Sequence, residues 1–217
     1  MLLISVAVAT LACAPTPVQK QTVDATISRA QAAWARVNTL RASFEQTLTN
    51  PITGSAMTSR GTLQQRKPNR LAITFSDPAG DRIVADGKFV WVYLQSATPG
   101  QVLKLASTDV GAASTDLIGQ FLKTPRSKYD AADAGSGKVG SRSARVLVLT
   151  GKAGEQLPFL RAKVWVDLND YLIRQFESTD ANGVTRRVRL LTLKTNVAVD
   201  DKAFTFRVPD NVRVVER

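Results

Sequence analysis

The residue types that most often do chemistry are scarce in this chain. Its 217 residues include no histidine and one cysteine, Cys13. Without imidazole, His-based acid–base catalysis, Ser-His-Asp triads and most transition-metal sites fall away together. A lone cysteine excludes an intramolecular disulfide and a thiolate cluster. The sequence holds no Gly-rich phosphate loop, no HExxH and no GxSxG. Carboxylates or lysines alone could run a hydrolase, but the usual signal of such a site is missing. No catalytic residue, cofactor or metal site is therefore expected, and the chemistry left to consider is binding.

The amino end bears on where that binding takes place. Met1 to Ala12 is an uncharged apolar run, too short to cross a bilayer as a helix, and Pro15-Thr16-Pro17 breaks the pattern just after it. Residues 1–14 read as a secretory signal with cleavage near Cys13, 15–21 as a flexible tether, and 22–217 as a single domain. Cys13 then has two readings. It is an incidental signal residue lost on maturation, or a lipidated amino-terminal cysteine behind an imperfect lipobox, Thr10-Leu11-Ala12-Cys13. The net charge of +11 raises nucleic acid as a partner. Export argues against it, and the densest basic run, Arg186-Arg187-Val188-Arg189, lies in an alternating strand pattern and reads as a solvated face. A basic surface suits transient approach to anionic lipid headgroups.

The elements that would position a binding site come from periodicity. From Thr22 to Leu40 the apolar residues Val23, Ile27, Ala30, Trp34, Val37 and Leu40 recur at helical spacing, giving one stripe that needs an apolar surface. Alternation then predicts strands over Ala42–Leu48, Met57–Gln65, Arg70–Ser76, Arg82–Ala85, Phe89–Leu94 and Gln101–Ala106. A short helical segment is expected at Ser114–Lys123, with Leu117, Ile118, Phe121 and Leu122 on one face, followed by a Gly-rich break near Gly135–Gly140. Strands resume at Ala144–Thr150, Leu160–Asp167, Tyr171–Thr179 and Val184–Lys194, with a short last one at Phe204–Val208. The connections are too short for parallel crossovers, so the neighbours are antiparallel. A meander of about 11 strands has to curl to manage its edges. The economical arrangement is a curved sheet with both helices over its concave face. Periodicity alone does not separate a filled interior from a hollow one.

Specific residues carry a resemblance. Ala42-Ser43-Phe44-Glu45-Gln46, Gly61-x-Leu63 leading into Arg66-Lys67-Pro68-Asn69, Ile83-Val84-Ala85-Asp86-Gly87-Lys88 with Trp91-x-Tyr93, and Phe204-x-Phe206-x-x-Pro209 occur in the order and spacing of one family. The chain resembles the outer-membrane lipoprotein carriers, LolA, from about Thr22 to Val215. That resemblance implies a mainly β fold, a half-closed antiparallel barrel with an α-helical lid over a hydrophobic cavity. It implies a periplasmic, non-enzymatic and monomeric carrier of lipoprotein acyl chains. The partners implied are an inner-membrane ABC transporter that releases lipoproteins and an outer-membrane receptor that accepts them. The family sets an Arg before the Pro to lock the lid. Lys67 holds that place here and lacks the planar five-donor fork of Arg. Leu63 and Gln65 share the face of Lys67, and with Leu71, Ile73 and Phe75 they form the expected cavity lining. Ile27, Trp34, Leu117, Ile118, Phe121 and Leu122 form the expected lid underside.

Three other readings stay open at this level. One is a lipid-anchored outer-membrane receptor of the same fold, which turns on Cys13. Another is a periplasmic sensor of lipoprotein or lipid, and the third a carboxylate-only hydrolase.

Overall fold

The computed structural model describes residues 17–110, 115–157 and 159–216, with side chains from residue 22 onward. Helix α1 (Pro17–Ala35) buries Val23, Ile27, Ala30 and Trp34, the expected stripe. It starts at Pro17, where a proline's missing N–H leaves nothing unsatisfied, so Pro17–Gln21, expected as tether, is helical. It also stops at Ala35 rather than Leu40, because Val37 N–H turns back to Trp34 O and the chain enters the first strand. The signal segment and Cys13 lie outside the described residues.

The strands follow as β1 (Thr39–Thr49), β2 (Ala56–Arg66), β3 (Arg70–Asp77), β4 (Ala79–Asp86), β5 (Phe89–Tyr93) and β6 (Gln101–Ala106). A short helix α2 (Gly119–Lys123) intervenes. Then come β7 (Tyr129–Val139), β8 (Arg142–Gly151), β9 (Arg161–Asp167), β10 (Ile173–Thr179), β11 (Thr185–Thr195) and β12 (Arg213–Glu216). They make one 12-stranded sheet, β12-β6-β5-β4-β3-β2-β1-β11-β10-β9-β8-β7, with β12 and β7 at the ends of the order. Two meanders, β1 to β6 and β7 to β11, meet where β1 pairs antiparallel with β11. Directly opposed residues share a face, so Phe44 opposite Leu190 and Gln46 opposite Val188 join the apolar stripes of both wings.

Three further expectations change. Of residues 135–140 only Gly140 lies in a turn, because β7 runs through Gly135–Val139 with a bulge between Asp133 and Ser136. Gly137 lies close to Trp165 there, and an added Cβ would come within 3.2 Å of the indole nitrogen. Of the expected helix over Ser114–Lys123, the described residues 115–118 are not helical and the helix starts at Gly119. Asp116 Oδ1 accepts the Gly119 N–H at 2.8 Å, and such a local side-chain bond competes with an earlier helical start. Phe204–Val208 is not a strand. It belongs to a strap across the convex face, where Phe206 stacks on Trp91 at 5.4 Å and Phe204 is buried with Ala72 and Val199. This strap covers the second apolar face of β3–β5. Arg66 fastens it through Asp201 and the Val199 carbonyl, and Arg70 reaches the same carboxylate at 3.1 Å. Beyond the strap, β12 pairs parallel with β6.

At the β9–β10 turn, the fully buried Asp167 accepts from Arg142 at 2.8 Å, Arg174 at 3.1 Å and the Asn169 N–H at 2.8 Å. Burial opposes ionisation, but the Asn169 amide and the two guanidiniums together hold this carboxyl below its ordinary 3.8. A depressed folded-state pKa stabilises the fold above the unfolded value, and that contribution is lost as pH falls through the folded one. Asp167→Asn should cost on the order of 3 kcal/mol at neutral pH. The gap to wild type in denaturant titrations should be constant above about pH 5 and shrink below about pH 4. A gap that does not change between pH 7 and pH 2.5 would contradict this.

Candidate functional site

The concave face is filled on one side and hollow on the other. Beneath α1 and α2, Phe121 packs on Phe159 and Phe176 with ring centroids 5.5 and 4.9 Å apart. Tyr129, Leu147 and Ile173 are buried beside them, and the residual void is about 10 Å³. A space of that size is at the lower limit for one water. Across β1–β4 and β11 the same face instead bounds a cavity of about 500 Å³, the size of a small-ligand pocket. Phe44, Leu63, Ile73, Phe75 and Ile83 floor it, Phe176, Val188 and Leu190 wall it, and Leu117 and Ile118 roof it. Asp77, Ser96 and Arg186 are exposed polar groups of its lining and mark its mouth, whereas Ser59 and Asp81 of the lining are buried.

Gly61 shapes the floor. A Cβ there would come within 2.3 Å of the Thr74 carbonyl oxygen and 3.1 Å of the Phe44 ring. Its absence lets Phe44 lie against the sheet and meet Phe75 edge to face, with centroids 5.6 Å apart and planes at 84°. That edge-to-face packing holds two large floor side chains in place.

Polar contacts hold the lid at several places, among them Arg29 to the Tyr171 hydroxyl at 2.6 Å, Asp24 to Arg126 at 3.1 Å, and a cluster around Lys67. Lys67 Nζ donates to the Trp34 carbonyl near the end of α1 and sits 4.5 Å from the centre of the Trp34 ring. Burial lowers the Lys67 pKa, with Lys123 adding to that effect and Asp116 opposing it. Asp116 ties the segment before α2 into the same place. Its carboxylate accepts from Trp34 Nε1 at 3.4 Å as well as from Gly119 N–H, and pairs with Lys123 at 2.6 Å. Farther along, Gln31 Nε2 donates to the Leu122 carbonyl at 2.9 Å, linking α1 to α2 directly.

The expected site residues divide according to their position along the strands. Leu63, Ile73 and Phe75 line the cavity. Gln65 and Leu71 share that face by parity but lie nearer Lys67, where the space is closed; they are 2% and 1% exposed and do not line it. In the lid, Leu117 and Ile118 cover the hollow, while Ile27, Phe121 and Leu122 line the small void on the filled side. Trp34 packs with Lys67 and Asp116 rather than over the hollow. Nothing in the sequence singles out Asp116, since a lone Asp beside a Gly-containing segment reads as a turn residue. Neither amide atom of Gln65 has a hydrogen-bond partner, although the side chain is buried. That amide is an unsatisfied buried polar group close to the Lys67 clamp.

Among the described residues, no group of three or more His, Cys, Asp or Glu side chains could hold a metal ion. Among them, too, no helix is long and apolar enough to cross a membrane. The fold and cavity define a class of lidded half-barrels whose site is an apolar space rather than a set of reacting groups. The chain belongs to the outer membrane lipoprotein carrier protein LolA family, whose model matches residues 35–207. It is 29% identical to the outer-membrane lipoprotein carrier protein of Albidiferax ferrireducens over 198 residues, 83% of this chain and 86% of that one. It is 24% identical to the carrier of the same name from Legionella pneumophila over 184 residues, 83% of this chain and 85% of the relative. Among solved structures, an uncharacterized conserved protein from Thermus thermophilus shares the fold with a TM-score of 0.53 at 15% identity, over 89% of this chain and 98% of that one. MucB from the Pseudomonas aeruginosa MucA/MucB complex shares it with a TM-score of 0.51 at 17% identity, over 88% of this chain and 62% of that one.

Two substitutions test the clamp. Lys67→Ala should speed amide exchange across residues 115–123 and the last turn of α1 by about tenfold, with β8–β10 unchanged. Gln65→Met should raise stability by about 1 kcal/mol, because it removes an unsatisfied buried amide at nearly constant volume. Uniform exchange in the first variant, or a destabilised second one, would contradict the clamp as described.

Proposed function

We propose that this chain is a periplasmic, non-enzymatic carrier that holds lipoprotein acyl chains in the 500 Å³ cavity and moves them from the inner to the outer membrane. The observation that supports it most is the division of one apolar concave face into a packed half and a hollow half under a polar-clamped lid. A merely structural core of this length would be filled throughout. Membership of the LolA family supports the same reading. The implied partners are an inner-membrane ABC transporter that releases lipoproteins and an outer-membrane receptor that takes them.

The energetics suit a carrier. Burying an acyl chain contributes about 0.8 kcal/mol per methylene, so three chains of ~15 methylenes lose roughly 35 kcal/mol on leaving a membrane for water. A carrier needs to return most of that without holding the cargo irreversibly. The unsatisfied Gln65 amide beside the Lys67 clamp serves this end: lifting α1 and α2 rehydrates Lys67 and Gln65 and offsets part of the cost of separating apolar surfaces. Cargo that binds the open cavity then shifts the balance between closed and open lid.

A second reading, a receptor of the same fold that works at a lipid surface, is favoured by one observation. The turn between β1 and β2 leaves Ile52 91% exposed, and Met57, which also lines the cavity, is 62% exposed. Side chains so placed can enter the apolar edge of a bilayer beside the cargo's exit.

Dilution of a detergent-solubilised triacylated lipoprotein into this protein should give a soluble one-to-one complex by size-exclusion chromatography. The deacylated lipoprotein should give none. Ile83→Trp, which fills the hollow with apolar bulk, should cut complex yield at least fivefold while preserving the melting temperature. A triacylated cargo that aggregates as it does in buffer alone would contradict the carrier reading. For the second reading, Ile52→Ser should weaken co-sedimentation with phospholipid vesicles several-fold without altering lipoprotein capture, and unchanged co-sedimentation would remove it.

A further inference from the structure

The basic run Arg186-Arg187-Val188-Arg189 is not one solvated face. Strand parity splits it. Arg187 and Arg189 point outward and are committed, the first to Glu177 at 2.6 Å and the second to Glu45 at 3.1 Å. Arg186 shares the face of Val188 and Leu190, opposite Leu48 on β1, and lines the cavity. Among the described residues no carboxylate lies within 4.0 Å of it and no side-chain hydrogen bond engages it; Asp180 acts on it only at longer range. Its side chain is exposed by area yet enclosed by protein on most sides, because the space it faces is a concavity, and this enclosure lowers its pKa.

The two acidic residues of the cavity are not available to it. Asp81 is buried and accepts both the N–H and the hydroxyl of Ser96, at 2.9 and 2.5 Å. Asp77 lies 3.9 Å from Arg60. Arg186 is therefore the one uncommitted charge among the described residues that line the cavity. In the empty protein water solvates it. An apolar chain laid along Val188, Leu190 and Phe176 displaces that water and leaves a guanidinium unpaired against a hydrocarbon, which is costly. An anionic group on the chain's own end removes the cost and adds a charge-assisted, bidentate hydrogen bond.

We propose that Arg186 makes the cavity mouth a head-group site, so that the cavity selects amphiphiles in which an anionic carboxylate or phosphate ends or adjoins an acyl chain. This rests on the cavity being an acyl-chain site, and the test separates the two claims.

The test is displacement of an uncharged, environment-sensitive fluorophore from the full chain by two matched pairs at pH 8: laurate against methyl laurate, and dodecyl phosphate against dodecanol. Wild type should bind the anion of at least one pair about tenfold more tightly than its neutral partner, the scale of one charge-assisted bond. A gap in the first pair alone identifies a fatty acid's carboxylate as the source, and a gap in the second alone a phosphate head. Arg186→Gln should close the gap while leaving the neutral ligands within about twofold, and Arg187→Gln should keep it. Equal binding of anion and neutral partner by wild type, or a gap that survives in Arg186→Gln, overturns the head-group site and leaves the apolar cavity standing. Failure of all four probes to displace the fluorophore overturns both claims.

Discussion

Everything about the site depends on the pairing of β1 with β11. It joins residues about 150 apart in sequence, so it is closed only at a substantial cost in chain entropy. The return is a single curved sheet made from two meanders. Phe44 and Leu190, Gln46 and Val188, and Leu48 and Arg186 meet across this seam. Those six residues all line the hollow. The strand pairing that makes the fold continuous is thus the one that brings both wings to the cavity.

On that curved sheet a 19-residue helix and a 5-residue helix cover the concave face unequally. Helix α1 and the aromatic group around Phe121 pack tightly over β8–β10, and only Leu117 and Ile118 reach across the other wing. Removing cargo from such a site takes no bond-breaking chemistry, only lid movement. The clamp of Lys67, Trp34 and Asp116 is small and polar, and it contains its own opposing terms in a desolvated ammonium and an unpartnered Gln65 amide. A lysine gives this clamp a single acceptor and a ring face where the planar fork of an arginine would reach several carbonyls.

Strand parity makes the face of each residue legible in the sequence, and it is enough to turn Leu63, Ile73 and Phe75 toward the interior. Parity carries no information on depth along the strand. Gln65 and Leu71 are one step nearer the closed end, and they are core rather than lining. A charge run hides parity in a similar way: Arg186 reads as solvated with its neighbours, although it alternates to the inside. β7 is invisible in the sequence because Gly135, Ser136 and Gly137 have neither apolar alternation nor β propensity; the close approach of Trp165 requires the small residue. The last strand pairs parallel to β6, far away in sequence, and four residues of Arg-Val-Val-Glu carry no signal of that partner. The strap over the convex face covers apolar side chains on the outer side of the sheet, among them Ala72 and Trp91.

The most direct test of the hollow half as the acyl-chain site is position-resolved photo-crosslinking. A photoreactive amino acid is placed at Phe75 or Ile83 in the cavity, or at Trp91 or Thr74 on the opposite face, and each variant is irradiated with a triacylated lipoprotein whose acyl chains are isotopically labelled. Labelled adducts from Phe75 and Ile83, with none above background from Trp91 and Thr74, are the predicted result. Equal labelling from both faces, or adducts from the convex face alone, would contradict the account.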